Sequence, residues 1–387
     1  MPVRLPHARS RLPLVVLAAG IASAAGRIPP EPAAAFIPPA PAVQAATRAA
    51  IVPGGVIDLP TPTPSAHASS IAVRPDGSAL VAWFAGTREG ARDVHIHMAQ
   101  LRGGAVVADW PALDRAQLQA LTHRVVRKLG NPVVWCAPDG QLHLFVVSVG
   151  IGGWSGSAVT HLRSPDGGHA WGEARRLVLA PLLNLGTLVR AQPVAMADGS
   201  IGLPAYHEFI HKYGLWVQLS PDGRVLRTAA MHGGPRSLQP SVEPLDGTRA
   251  VAMLRRGSDG RGARSDASTV PTVLRSITDD AGGRWTGPQA TEVPNPDSGV
   301  ALLRLPDGSL LMACNPLARG RHVLVLMRST DDGATWTQAS VVEDGPPDAE
   351  YSYPCLARSP DGSVLLSYTF RRERIRVRTF RLGEEAP

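Results

Sequence analysis

Lysine is nearly missing from this 387-residue chain: of 39 basic residues, only Lys128 and Lys212 are lysine, so arginine carries the formal charge of +7. The arginines form no long run, and no nucleic-acid-binding motif accompanies them, which excludes a polybasic nucleic-acid grip. Cysteine is scarce too. Cys136, Cys314 and Cys355 are an odd set and exclude a fully paired disulfide framework. Each lies in an apolar, strand-like stretch and reads as a small buried hydrophobe, with at most one disulfide among them. Charged residues make up 18% and hydrophobic residues 44%, which excludes global disorder. Long apolar runs are absent after the first 25 residues, as are long amphipathic helical patterns. A short helix is expected at 111–129.

Turn formers are abundant, with 39 Gly and 36 Pro. At the N-terminus, Arg4, Arg9 and Arg11 precede the 14-residue apolar run Leu12–Ala25, and Ala22-Ser23-Ala24 offers a small-residue cleavage site. Residues 1–25 therefore read as a signal peptide and the chain as exported, periplasmic or secreted. The run is short for a membrane span, so contact with a membrane is expected only if it stays as an anchor. Residues 26–64 are rich in Pro and Ala and read as a linker or loosely docked arm. The folded domain is expected over 65–387.

Two repeats run through that domain. A turn ending in Asp-Gly precedes a strand-forming run six times, at Asp76, Asp139, Asp198, Asp246, Asp307 and Asp361, with gaps of 63, 59, 48, 61 and 54 residues. Asp-Gly suits tight hairpins because both residues tolerate positive φ. A second pattern, S/T-x-D-x-G-x-x-W, begins at Ser164, Thr278 and Ser329, with a worn copy at Ser220; its steps are 56, 58 and 51 residues. Two patterns with one period predict an all-β, six-bladed β-propeller. Within the second pattern, the Asp can bond amides of its own turn and the Trp can cover apolar surface beneath the hairpin. These residues read as structural, not as site residues.

With three good copies on a six-blade period, the chain resembles the sialidase (neuraminidase) superfamily with its Asp-box, or BNR, repeats. The stretches WFAGTREGARDV (83–94), NPVVW (131–135), LPAYHE (203–208), LQPSV (238–242), PNPDSGV (294–300) and EYSYPCL (350–356) resemble a bacterial sialidase-like subgroup. The resemblance implies an exo-acting glycoside hydrolase taking a terminal, acidic sugar. In that family three arginines grip the substrate carboxylate, an Asp is acid/base, and a Tyr paired with a Glu is the nucleophile. Planar guanidinium forks suit a carboxylate, and a phenol needs a base to attack. The nucleophile then falls on Tyr351, the acid/base on Asp93, and two arginines on Arg255 and Arg321. The first arginine has no counterpart in His67–Ile71, where Arg88 or Arg92 is the substitute. The glutamate would fall near Leu238 or Gln239, neither of them acidic, which leaves Glu208 as the replacement base.

The surrounding candidates are His207, Gln239, Tyr353, Trp154 and Asn295, as polar lining or a sugar platform. By strand alternation Tyr353 shares a face with Tyr351, whereas Glu350 points away unless a bulge intervenes. No metal constellation and no cofactor are expected; His95 and His97 share a strand face, but two ligands are a weak signal. The expected partner is a glycan or glycoconjugate. A non-catalytic glycan-binding propeller and a uronate lyase built on Tyr206, His207 and Arg255 are the competing readings.

Overall fold

The computed structural model describes residues 33–37, 50–179, 184–209, 211–257 and 270–383. The signal-peptide expectation and residues 26–32 and 38–49 of the linker lie outside the described residues. Six antiparallel sheets follow one another along the chain, each an up-and-down meander. We number them as blades I to VI. Their first strands are Ser65–Val73, Lys128–Cys136, Thr187–Val189 with Val194–Ala195, Ser237–Pro244, Ala301–Arg304 and Tyr351–Arg358. These first strands pack against one another around a common axis and are almost wholly buried. The architecture is the six-bladed propeller that the repeat period predicts.

Blade VI closes the ring. Its outer strand is Ala50–Asp58, which pairs with Arg374–Gly383 from the other end of the chain. The domain therefore begins at 50 rather than 65. The arm before it is also partly docked. Phe36 is fully buried edge-on against Trp216, and its amide donates to the Gly247 carbonyl at 2.8 Å. The expected helix is present but shorter, Arg115–Thr122, with Asp114 and Gln117 forming a reciprocal N-terminal cap.

Both repeats sit on the same end of every blade that carries them. All six Asp-Gly turns join first strand to second. In each, the Asp carboxylate accepts the backbone amide two residues on, at 2.8–3.0 Å. In five of the six the Gly takes positive φ, Gly247 being the exception, and in all six the Asp acts as a cap. The second pattern joins third strand to fourth. Ser164, Thr278 and Ser329 each accept the amide of the Gly four residues on, at 2.8–3.1 Å. Trp171, Trp285 and Trp336 are buried beneath these turns. The three cysteines are unpaired.

Candidate functional site

The opposite end of the blades is irregular, and the irregularity has a cause. Pairing between first and second strands slips at His67/Ser70, Gly130/Val133, Leu238/Ser241 and Ser352/Cys355. At each slip one non-glycine residue has positive φ: Ala68, Asn131, Gln239 and Tyr353. Such bulges re-aim side chains. In blade III the first strand breaks outright, and Arg190 stands at the break. Asp297, at φ 58°, turns the chain ahead of the first strand of blade V. The bulges thus feed six blades' worth of polar side chains into one funnel on the axis.

Tyr353 is the hub. Arg255 Nη1 lies 3.4 Å from its phenol oxygen. The guanidinium groups of Arg190 and Arg321 stand 5.2 and 5.7 Å from its ring centroid. The His67 ring meets it edge-on at 4.4 Å. Tyr351, the sequence-based choice, lies elsewhere. It is packed in the core between blades V and VI with Leu305, Leu356 and Phe370. The bulge after Ser352 breaks the alternation that put the two tyrosines on one face, so the funnel tyrosine is Tyr353.

The same bulge corrects the reading of Glu350. Its carboxylate reaches Arg321 at 3.0 Å and Arg372 at 2.7 Å, and Arg372 goes on to Glu89. Burial works against the Glu350 charge, but the hydrogen bond from Arg372 and its neighbours hold the pKa at about 2. Arg321 also donates to the Asp297 carbonyl at 2.8 Å. Arg255 donates to the Asp297 carboxylate at 2.6 Å and to Gln239 Oε1 at 3.2 Å. Burial opposes the Arg255 charge as well, and Tyr353 and Asp297 outweigh it. Both expected arginines therefore enter the funnel, each aimed by a carboxylate.

Gln239 spans the funnel. While its oxygen accepts from Arg255, its nitrogen donates to the Tyr206 phenol, which also accepts from Asn131. Glu208 ends the second strand of blade III, beside Lys212 at 3.8 Å. Burial raises its pKa, with Arg255 and Lys212 opposing. That shift favours its protonated form, the reverse of Glu350. His67 is 1% exposed, and neither ring nitrogen has a partner. Burial and the surrounding arginines press its pKa well below the ordinary imidazole range, so the ring is neutral.

Several expected residues are not brought into this cluster. Asp93 is exposed, and its carboxylate accepts the Thr87 amide and hydroxyl at 2.8 and 3.0 Å, stitching its own loop. The Thr87 amide lowers its pKa, so it is a poor proton donor. It lines an outer cleft beside the helix with Arg92 and Asp114. Arg88 and Arg92 are exposed on that loop, where Glu89 is the residue linked to the funnel network. His207 stacks on Tyr213 at 5.1 Å and bonds the His211 carbonyl, so the lyase set Tyr206–His207–Arg255 is not assembled. Asn295 is fully buried and ties the Asp297 loop through both bonds to Ser298. Trp154 covers Gly130, where a Cβ would stand 2.6 Å from the indole; a side chain at 130 would displace it from the funnel wall.

A family model described as a BNR repeat-like domain matches residues 77–366. The chain belongs to this family. Among solved structures, the BNR chain is similar to the Hadza microbial sialidase Hz136, at 15% identity and a TM-score of 0.66, covering 83% of this chain and 66% of that one. It is equally similar to a protein of unknown function from Dyadobacter fermentans, at 16% identity and TM-score 0.66, over 86% and 99% of the two chains. A leech intramolecular trans-sialidase matches at 13% identity and TM-score 0.65, over 85% and 70%. No curated relative matches the sequence. The fold is thus that of sialidase propellers.

The sequence held a signal for the missed residues. Ala68, Asn131, Arg190 and Tyr353 each stand eight positions before the Asp of an Asp-Gly turn. Counting back from those turns locates the bulge, and with it the residue pointed into the funnel.

Proposed function

We propose that the funnel binds the terminal, acidic sugar of a glycan and hydrolyses its glycosidic bond. The observation that carries this reading is the convergence of Tyr353, Arg255, Arg321 and a Glu208 of raised pKa at one mouth of the ring. Arg255 and Arg321 keep part of their side chains exposed, where a ligand carboxylate can meet them. Glu208 donates a proton to the leaving oxygen. As that bond breaks, Tyr353 bonds the anomeric carbon and releases its phenol proton to solvent water, with Arg255 facing the charge on its oxygen; a water deprotonated by the Glu208 carboxylate then displaces Tyr353, which recovers a proton from solvent. Gln239, which bonds Arg255 and Tyr206, fills the position where the sialidase resemblance calls for a glutamate, and an amide cannot take a phenol proton. That favours, as second reading, a propeller that binds the sugar without cleaving it. The chain's N-terminal apolar run supports export, where such glycans are met.

The test is turnover of a panel of fluorogenic aryl glycosides, α-sialoside and uronides included, by the full chain and by Glu208→Gln. The hydrolase reading expects Glu208→Gln to lose most activity on poor leaving groups and to keep it on a good phenolate leaving group. Saturable binding of the free acid sugar with no turnover of any glycoside would leave the binding reading alone.

A further inference from the structure

Arg190 presents a problem that the funnel does not solve. It is 4% exposed, and its Nη2 donates to the Pro354 carbonyl at 2.9 Å. Its Nε has no partner. No carboxylate pairs with it among the described residues; the acids nearest it are the phenols of Tyr353 and Tyr206 and the thiol of Cys355. A buried cation without a counter-charge is strongly disfavoured. The Tyr353 ring shields it from the funnel, so a ligand held by Arg255 and Arg321 does not reach it directly.

Behind that ring lies a cavity of about 150 Å³ on the propeller axis, lined by Arg190, Gln192, Ser241, Glu243 and Cys355 among others. That volume holds a few waters or one hydrated small ion. Donors are available in it. The Ser241 oxygen accepts the Leu302 amide, which leaves its own hydrogen free to donate. Among the described residues Glu243 has no ion-pair partner, and it lines the cavity. Burial pushes its pKa up to about 8, so near neutrality it is an uncharged donor.

We propose that the axial cavity is a binding site for a small monovalent anion of the halide class, the counter-ion of Arg190. Because Arg190 lies against the Tyr353 ring, occupancy of this site sets the charge felt beneath the funnel. The site is separate from the sugar site and stands whether or not the funnel is catalytic.

Sodium bromide is the probe. Crystals soaked in it are expected to show one anomalous peak between Arg190 and Glu243. In solution, replacing gluconate by bromide at constant ionic strength is expected to raise the melting temperature saturably, by about 2–4 °C near ten times the dissociation constant. Arg190→Met should abolish both the peak and the shift. If that variant does not fold, the pH arm decides. Bromide affinity should fall about tenfold between pH 7 and pH 9 as Glu243 ionises, and Glu243→Gln should remove that fall. The groups facing Glu243 are Arg304 and Arg358, and across the cavity Arg190 and the Cys355 thiol. To isolate Glu243 from the thiol, Cys355→Ala must leave the fall in place. An axial cavity holding only water in the soaked crystal, with no bromide-specific shift, would overturn the proposal.

Discussion

The two ends of the propeller are made by the same repeat and obey opposite rules. On the Asp-Gly end, the repeat residues bond their own turns: Asp331 accepts the amides of Ala334 and Thr335, and Trp336 donates to the Gly333 carbonyl. On the funnel end, the central side chains reach across blades: Arg255 to Asp297, Gln239 to Tyr206, Arg372 to Glu89. Local bonds reproduce themselves wherever the motif occurs. Bonds between blades exist only after the ring has closed, so the funnel is assembled by the fold and not by any single segment.

The sharpest way to break this comparison is the tyrosine pair. Tyr353→Phe is expected to lower turnover of an acidic aryl glycoside by about 10³-fold or more, with binding kept, and Tyr351→Phe to leave turnover within about threefold. The reverse pattern would move the nucleophile back into the blade core. Next in size, Trp336→Ala should cost about 3–5 kcal/mol of stability in denaturant unfolding. It should leave ligand affinity untouched, because its contacts stay within the far end. Arg321→Ala should weaken binding of a free acidic sugar by about 10- to 100-fold in calorimetry, with only a small change in melting temperature.

The smallest effect is the acid limb of stability. Glu350 and Asp331 both have folded pKa values of about 2, below their ordinary values. A depressed carboxyl contributes stability that is present above its unfolded pKa and is lost as pH falls through the folded one. Melting temperature should therefore drop between pH 4.5 and pH 2. Glu350→Gln should flatten part of that drop, and a profile unchanged by it would remove the funnel's share.

What could be read from the sequence follows the same division. Blade number, turn positions and the buried Trp residues were legible because each depends on a few neighbouring residues. Arg255 and Arg321 were legible through resemblance. The placing of Tyr351 and Asp93 failed for physical reasons. A two-residue alternation cannot foresee the bulge at Tyr353, and a carboxylate in an exposed loop cannot be known to turn back on Thr87 until the loop is folded. Arg190 was missed because only its spacing from the Asp198 turn marks it; its place comes from the broken strand of blade III.

The seam in blade VI has a practical consequence. Ala50 lies directly opposite Gly383, so two distant stretches of chain meet side by side on an outer edge. A short peptide could join them there, and new ends could be cut at the exposed Gly103–Gly104 hairpin of blade I. Such a rewired chain would keep every blade while losing its two-ended clasp, and its rate of unravelling would measure what the clasp is worth.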